Sequence, residues 1–326
     1  MTDPTTDTGA PLKDSAHYLH AVTQLAETRP VVAQSAIYSE SGIKLVDQGM
    51  RIERRLYERL VQHTLREPLD THLSVEGAVT TASLIAAARA LLESAVLPQR
   101  LAHTLRVPAS LLAPLTTMPL PPSVVFKLTL MREQRPTLWQ HSLEVMLIAM
   151  YLARRAETSE RDCVALCAAA LMHDTGMLYM DPAWANPGHK PVGAERKQLV
   201  VHPVTSMLMV RQAQVYPRSV ETAVLEHHER MDGSGYPRGI AGAAISPLGR
   251  ILLLAEVVAA IYEKYEDMPA LQLALVLRLN HRKFPAALTT ALLPLLDEER
   301  ARDSALMPLG AHASRHLETL ADAFAE

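Results

Sequence analysis

Two histidine-bearing doublets close apolar stretches of this chain. His173-Asp174 ends Cys163-Val-Ala-Leu-Cys-Ala-Ala-Ala-Leu-Met172, and His227-His228 ends Ser219-Val-Glu-Thr-Ala-Val-Leu-Glu226. His202 heads His-Pro-Val-Thr-Ser-Met-Leu-Met-Val, and Glu256 lies inside Ile251-Leu-Leu-Leu-Ala-Glu-Val-Val-Ala-Ala-Ile-Tyr262. A carboxylate or imidazole in such a run is costly unless it is hydrogen-bonded, paired or bound to a metal. Any one of these histidines reads as a satisfied core residue. Taken together they read as metal ligands. Imidazole nitrogen and carboxylate oxygen suit Fe, Mn and Zn, and helical bundles build di-metal sites from inward-facing side chains on several helices.

Such residues need helices to present them. Helix-period apolar faces run over Trp139–Arg154, Glu160–His173, His202–Ala213, Ser219–Glu229 and Leu248–Lys264, with Pro/Gly loops between. Ser219, just after Pro217, is the expected N-cap of its helix. Met118-Pro-Leu-Pro-Pro122 marks the expected domain boundary. Residues 118–326 are therefore expected to form an all-helical domain whose tail, Pro269 to Glu326, is helical too. Residues 1–14 read as a disordered tail. Residues 15–117 read as a smaller domain with a helix at Ser15–Thr28, a hairpin about Ser39-Glu-Ser-Gly42, helices at Ile52–Leu65 and Val75–Ala95, and short helices over Pro98–Leu115. The fold class is thus mostly α: a helical metal-binding bundle preceded by a smaller α domain carrying a β hairpin.

Composition excludes several classes. The 326 residues include 32 Lys+Arg against 35 Asp+Glu, a net charge of −3. That balance argues against a nucleic-acid polymer as partner, since such binding rests on basic side chains neutralising phosphates. Cys163 and Cys167 read as small core residues of a reducing compartment. No apolar stretch reaches the ~20 residues of a membrane helix, and the polar N-terminus has no signal-peptide core. A cytoplasmic protein without membrane insertion is expected. GxxxxGK[ST], GxGxxG and GxSxG motifs are absent. Among the 14 histidines, His189 reads as an exposed loop residue. His17, His20, His63, His72, His103, His281, His312 and His316 read as surface residues.

The histidine doublets also carry a resemblance. His173-Asp174 matches the doublet of the HD phosphohydrolase superfamily. His227-His-Glu-Arg-Met-Asp-Gly-Ser-Gly-Tyr-Pro237 resembles the signature of its HD-GYP branch, and the likeness covers about Pro121 to Tyr265. It implies a helical phosphodiesterase that hydrolyses the bacterial second messenger cyclic di-GMP to linear pGpG, GMP or both, through a hydroxide activated by two divalent transition-metal ions, Fe or Mn. Residue by residue, it implies the ligands His141, His173, Asp174, His202, His227, His228 and Glu256. Asp174 is the bridging and catalytic carboxylate, and Glu256 stands where the family has Asp. Arg230, Gly235, Tyr236 and Pro237 are the expected substrate contacts. The Gly233–Pro237 string also reads as a tight turn whose glycines adopt positive φ and set Tyr236 beside the site.

The chain departs from that family on the phosphate side. HDxGK becomes His173-Asp-Thr-Gly-Met177, so the Lys implied to contact phosphate is missing. Thr137 stands where three-metal members carry Glu, which implies two metals. Ala260 replaces a common Asp, and the basic stretch that follows is largely lost. Losing one preorganised donor costs on the order of 2–4 kcal/mol of transition-state stabilisation; Arg230, Lys190 and Lys197 are candidate substitutes. The alternative reading is a weak or inactive HD-GYP module that binds cyclic di-GMP and signals through a protein partner. A third is a hydrolase of another cyclic dinucleotide. For residues 15–117 the open roles are regulation, homodimerisation and covering of apolar surface.

Overall fold

The computed structural model describes residues 13–105, 108–185, 189, 191–265, 267–293 and 296. Ser15 caps α1 (Ala16–Thr28) by accepting from the Tyr18 amide. Then β1 (Val31–Ala33) pairs antiparallel with β4 (Leu73–Val75), while β2 (Ile37–Tyr38) and β3 (Lys44–Val46) form the expected hairpin. Between this hairpin and β4 lies α2 (Leu56–Val61). This helix is shorter than the sequence pattern indicated, because Ile52 donates its amide to Val31 and fills a strand-side core position instead. Likewise Val75 belongs to β4, and α3 (Thr81–Ser94) begins only at the Thr80–Ser83 capping box. α4 (Val96–His103) and two 3₁₀ turns, Pro108–Leu111 and Ala113–Thr116, lead to the proline-rich segment.

Long helices follow. α5 (Pro122–Gln134) and α6 (Pro136–Arg155) each start on a proline, where the missing N–H costs nothing. Ser159 caps α7 (Glu160–Met172), and a 3₁₀ helix, Thr175–Tyr179, follows it directly. α8 (Gly193–Gln212) begins nine residues earlier than expected, so His202 sits at mid-helix and Pro203 inside it. α9 (Arg218–Glu226) has Pro217 rather than Ser219 at its N-cap. Ser246 caps α10 (Pro247–Lys264), and α11 (Pro269–Leu279) comes next. The backbone is helical again over 286–293. The rest of the expected helical tail, 294–295 and 297–326, lies outside the described residues, as do residues 1–12 of the expected disordered tail. Asp14, placed in that tail, is instead fixed by hydrogen bonds from Leu69 and Tyr179.

The chain is mostly helical. α6 is the central helix, flanked by α7 and α10, with α9 completing a layer and α8 packed on α9. α1 and β4 pack on α5, and α3 and α4 pack on α6, so one continuous apolar core runs from Tyr18 to Leu296. Among the described residues no single helix is long and apolar enough to cross a membrane. Cys163 and Cys167 are both free and buried in that core.

Candidate metal centre

Five helices deliver the polar side chains to one point. His141 lies in the second turn of α6; His173 caps the end of α7, and Asp174 precedes the 3₁₀ helix. His202 comes from the middle of α8, His227 and His228 from the end of α9, and Glu256 from the centre of α10. They form two adjoining groups: Asp174, His202, His227 and His228 in one, and His141, His173 and Glu256 in the other. Within each group one ligand atom per residue lies within 4.8 Å of the rest.

Hydrogen bonds orient three of the rings alike. Nδ1 of His173 is 2.7 Å from the Ala170 carbonyl, Nδ1 of His202 is 2.6 Å from that of Leu199, and Nδ1 of His227 is 2.6 Å from that of Val224. A carbonyl accepts only, so each Nδ1 carries a proton and each ring turns its Nε2 inward. The Nε2 atoms of His202 and His227 then face each other at 3.1 Å. At that distance a shared proton or a metal ion lies between the two nitrogens, and a second partner on the far nitrogen is how metal-binding histidines are commonly held. His141 has the same arrangement with a side chain: Nδ1 is 3.2 Å from Glu263 and Nε2 is 2.9 Å from Glu256.

Asp174 links the two groups, and Glu256 ties the second together. Asp174 presents Oδ1 to His202 at 3.1 Å and to His227 at 3.5 Å, and Oδ2 to His173 at 3.5 Å. Glu256 reaches His173 at 3.3 Å. Asp174 Oδ1 and His173 Nε2 are buried without a well-formed hydrogen bond, which is the unmet demand that a metal ion satisfies. The electrostatics agree. Burial works against charge on both carboxylates, yet neighbouring His173 and His202 hold Asp174 well below the usual carboxylate range, and His141 does the same for Glu256. Burial opposes charge on His141 and His173 too, but the same carboxylates raise both imidazoles. His227 and His228 are pushed down, chiefly by burial. The pocket calls for positive charge, and its N/O donor set fits divalent transition metals.

The loop after α9 lies over this centre. Tyr236 stacks on His228 with ring centroids 4.6 Å apart, and its amide donates to the His228 carbonyl at 3.1 Å. Gly233 takes φ of +81°, as the turn reading required. Gly235 does not adopt positive φ: it is glycine because a Cβ would collide with the backbone of Glu229 and Arg230. Pro237 follows a cis peptide bond. Arg230 is half-buried and donates to the Glu229 carbonyl, with Glu256, Tyr236 and Asp232 in its electrostatic surroundings. Met177 occupies the 3₁₀ helix after Asp174.

Sequence reasoning missed the groups that hold this loop. Buried Glu229 accepts from the Arg238 and Ile240 amides at 2.8 and 3.1 Å. Buried Glu226 accepts from the Arg238 guanidinium at 2.6 Å and the Ser246 amide at 2.8 Å. Glu226 was legible as a carboxylate ending an apolar helix, but its partners lie 12 and 20 residues away. Of the other histidines, His17, His20, His103 and His281 are exposed, and His63 and His72 partly so. His189 pairs with Glu195 at 3.1 Å, so it is less free than a loop histidine was expected to be. His312, His316 and Lys190 lie outside the described residues.

Residues 123–276 match the HD domain family. A 3'3'-cGAMP-specific phosphodiesterase 3 of Vibrio cholerae is 31% identical over 117 residues, covering 36% of this chain and 25% of that protein. A cyclic di-GMP phosphodiesterase of Pseudomonas aeruginosa, PA4108, is 31% identical over 141 residues, covering 43% of this chain and 34% of that protein. The chain thus spans between a quarter and about a third of the length of these curated relatives. A solved structure described as Bd1817, a HDG"Y"P protein from Bdellovibrio bacteriovorus, aligns with a TM-score of 0.46 and 15% identity over 82% of this chain and 94% of that one. The seven converging side chains all fall inside the segment, residues 123–276, that matches the HD domain family.

Proposed function

We propose that this chain is a metal-dependent phosphodiesterase that hydrolyses a cyclic dinucleotide, cyclic di-GMP first, to the linear dinucleotide or GMP. The observation that carries this reading is the convergence of seven buried or half-buried imidazoles and carboxylates, with the Nε2 atoms of His202 and His227 3.1 Å apart beside Asp174. The phosphodiesterase names of the relatives support the reaction class. Two divalent ions, Fe or Mn, would be held by Asp174, His202, His227 and His228 and by His141, His173 and Glu256. When bound they supply Lewis-acid activation of water and neutralise phosphoryl charge. The chain's own residues do the rest. Asp174 holds the two ligand groups in register through its two oxygens. The Nδ1 bonds keep His173, His202 and His227 in the metal-binding tautomer. Tyr236 offers a ring face beside His228 against which a base or ribose can stack, Arg230 offers charge to a phosphate, and Gly235 and Pro237 shape the turn between them.

Turnover of cyclic di-GMP and of 3'3'-cGAMP by protein loaded with Mn²⁺ or Fe²⁺, and its loss in Asp174→Ala, tests the proposal. A second reading is favoured by Met177: a slow or inactive module that binds the dinucleotide and signals to a protein partner. Tight binding by calorimetry without turnover supports that one. In either case we place the protein in the cytoplasm and divide it into a regulatory or dimerising segment, 15–117, and an HD-GYP segment, 118–326.

A further inference from the structure

The 3₁₀ helix Thr175–Tyr179 has the metal-facing Asp174 at one end and the N-terminal segment at the other. Near Asp174 it is fixed within the domain. Thr175 donates to the Met172 carbonyl at 2.8 Å, and the Gly176 amide donates to Ser206 of α8 at 2.8 Å. A side chain at Gly176 would collide with Ser206 and with the carbonyl of His202. This short helix is therefore wedged against the helix that supplies His202. Its far end is held by residues more than 150 positions upstream. Tyr179 donates its hydroxyl to Asp14 at 2.6 Å, Ser15 donates to the Tyr179 carbonyl at 2.9 Å, and the Tyr18 ring stacks on the Tyr179 ring at 4.6 Å.

Asp14 is itself tied to further elements. Its second oxygen accepts from the Leu69 amide at 2.8 Å, and the neighbouring Asp70 pairs with Lys127 of α5, both buried. Burial raises Asp14 to about 6 despite the bonds from Tyr179 and Leu69. A carboxylate kept in so unfavourable a setting, with a buried tyrosine pair and a buried ion pair around it, is more than a surface contact.

We infer that Asp14, Ser15 and Tyr18 of the N-terminal segment act with Tyr179 as a positioning latch for Asp174, transmitted through the rigid Thr175–Tyr179 helix. The latch rests on the metal-centre reading above. It sets where Asp174 stands relative to the histidines of α8 and α9, and so sets metal affinity. Any event that displaces Asp14 from Tyr179 lowers the occupancy of the centre without touching a ligand.

The test uses the full chain. Tyr179→Phe keeps the ring stack and removes the hydroxyl; Asp14→Asn is a second variant, in which one oxygen becomes an NH2, so the side chain can no longer accept from both Tyr179 and Leu69. Tyr216→Phe is the control, since it removes a tyrosine hydrogen bond of 2.6 Å made elsewhere, to Pro119. Hydrogen exchange of peptides covering 173–180 and calorimetric titration with Mn²⁺ are measured for each. The expected result is faster exchange in 173–180 and roughly tenfold weaker Mn²⁺ binding in Tyr179→Phe, the same direction in Asp14→Asn, and neither change in Tyr216→Phe. Wild-type Mn²⁺ affinity in Tyr179→Phe and Asp14→Asn overturns the latch alone, as do equal losses in the control. Absence of Mn²⁺ binding by the wild type overturns the metal-centre reading and the latch with it.

Discussion

At the scale of single residues, the proposed two-metal ligand set is complete, with Glu256 in place of an Asp, while Met177 stands where the resemblance implies a phosphate-contacting Lys. That asymmetry makes separate predictions for the two sides. Asp174→Ala removes a carboxylate that faces both ligand groups. It is expected to lower metal content by at least one equivalent per chain and activity by on the order of 10³-fold, the scale of losing a main electrostatic contributor, as read by elemental analysis and a dinucleotide assay. Met177→Lys restores a cation beside Asp174. If the missing charge is what limits turnover, kcat/KM rises on the order of tenfold or more, while Mn²⁺ affinity stays unchanged; equal activity would mean that Arg230 already supplies the charge. The ligand residues were legible in the sequence because buried polar groups interrupt apolar runs. The supporting residues were not. Glu263 on His141 is an ordinary exposed helix glutamate by pattern, and Arg238 reveals its role only when the loop brings it onto Glu226.

At the scale of elements, apolar periodicity found the central helices and failed where another force set the boundary. The apolar face of α8 starts at His202 because residues 193–198 carry no apolar stripe, whereas the helix begins at Gly193 and accommodates Pro203. Ile52 and Val75 look helical by spacing but serve strand contacts whose partners are distant in sequence. The loop after α9 depends on an ion pair between buried Glu226 and half-buried Arg238. Replacing Glu226 by Ala leaves Arg238 without its partner and the Ser246 amide without an acceptor, so a loss of about 3–5 kcal/mol in unfolding free energy is expected from denaturant melts. Replacing both Glu226 and Arg238 by apolar residues is expected to cost less. Asp14 predicts a pH effect. Its folded pKa, about 6, is above the ordinary carboxylate value of 3.8, so the fold favours the protonated form. Its contribution is fully present below about pH 4 and is lost as pH rises towards 6. Relative to Asp14→Asn, the wild type is expected to gain on the order of 1 kcal/mol between pH 7 and pH 5; a pH-independent difference would contradict it.

At the scale of the whole molecule, the sequence pattern separated a mixed N-terminal segment from a helical one, and the observed core is continuous across that line. The segment outside the match still reaches the 3₁₀ helix that follows Asp174, because α1 packs on α5 and Asp14 and Ser15, just before α1, hold Tyr179. Such pairings between distant positions are invisible to local periodicity. The near-neutral charge is consistent with a small substrate: two dications in a buried pocket can offset two phosphates without a basic surface. The central claim is that seven side chains from five helices exist to hold metal. Elemental analysis of the full chain purified without oxygen tests it most directly. The account predicts close to two equivalents of Fe or Mn per chain, falling in Asp174→Ala. Protein that is folded, metal-free and unable to take up either ion when it is supplied would contradict it.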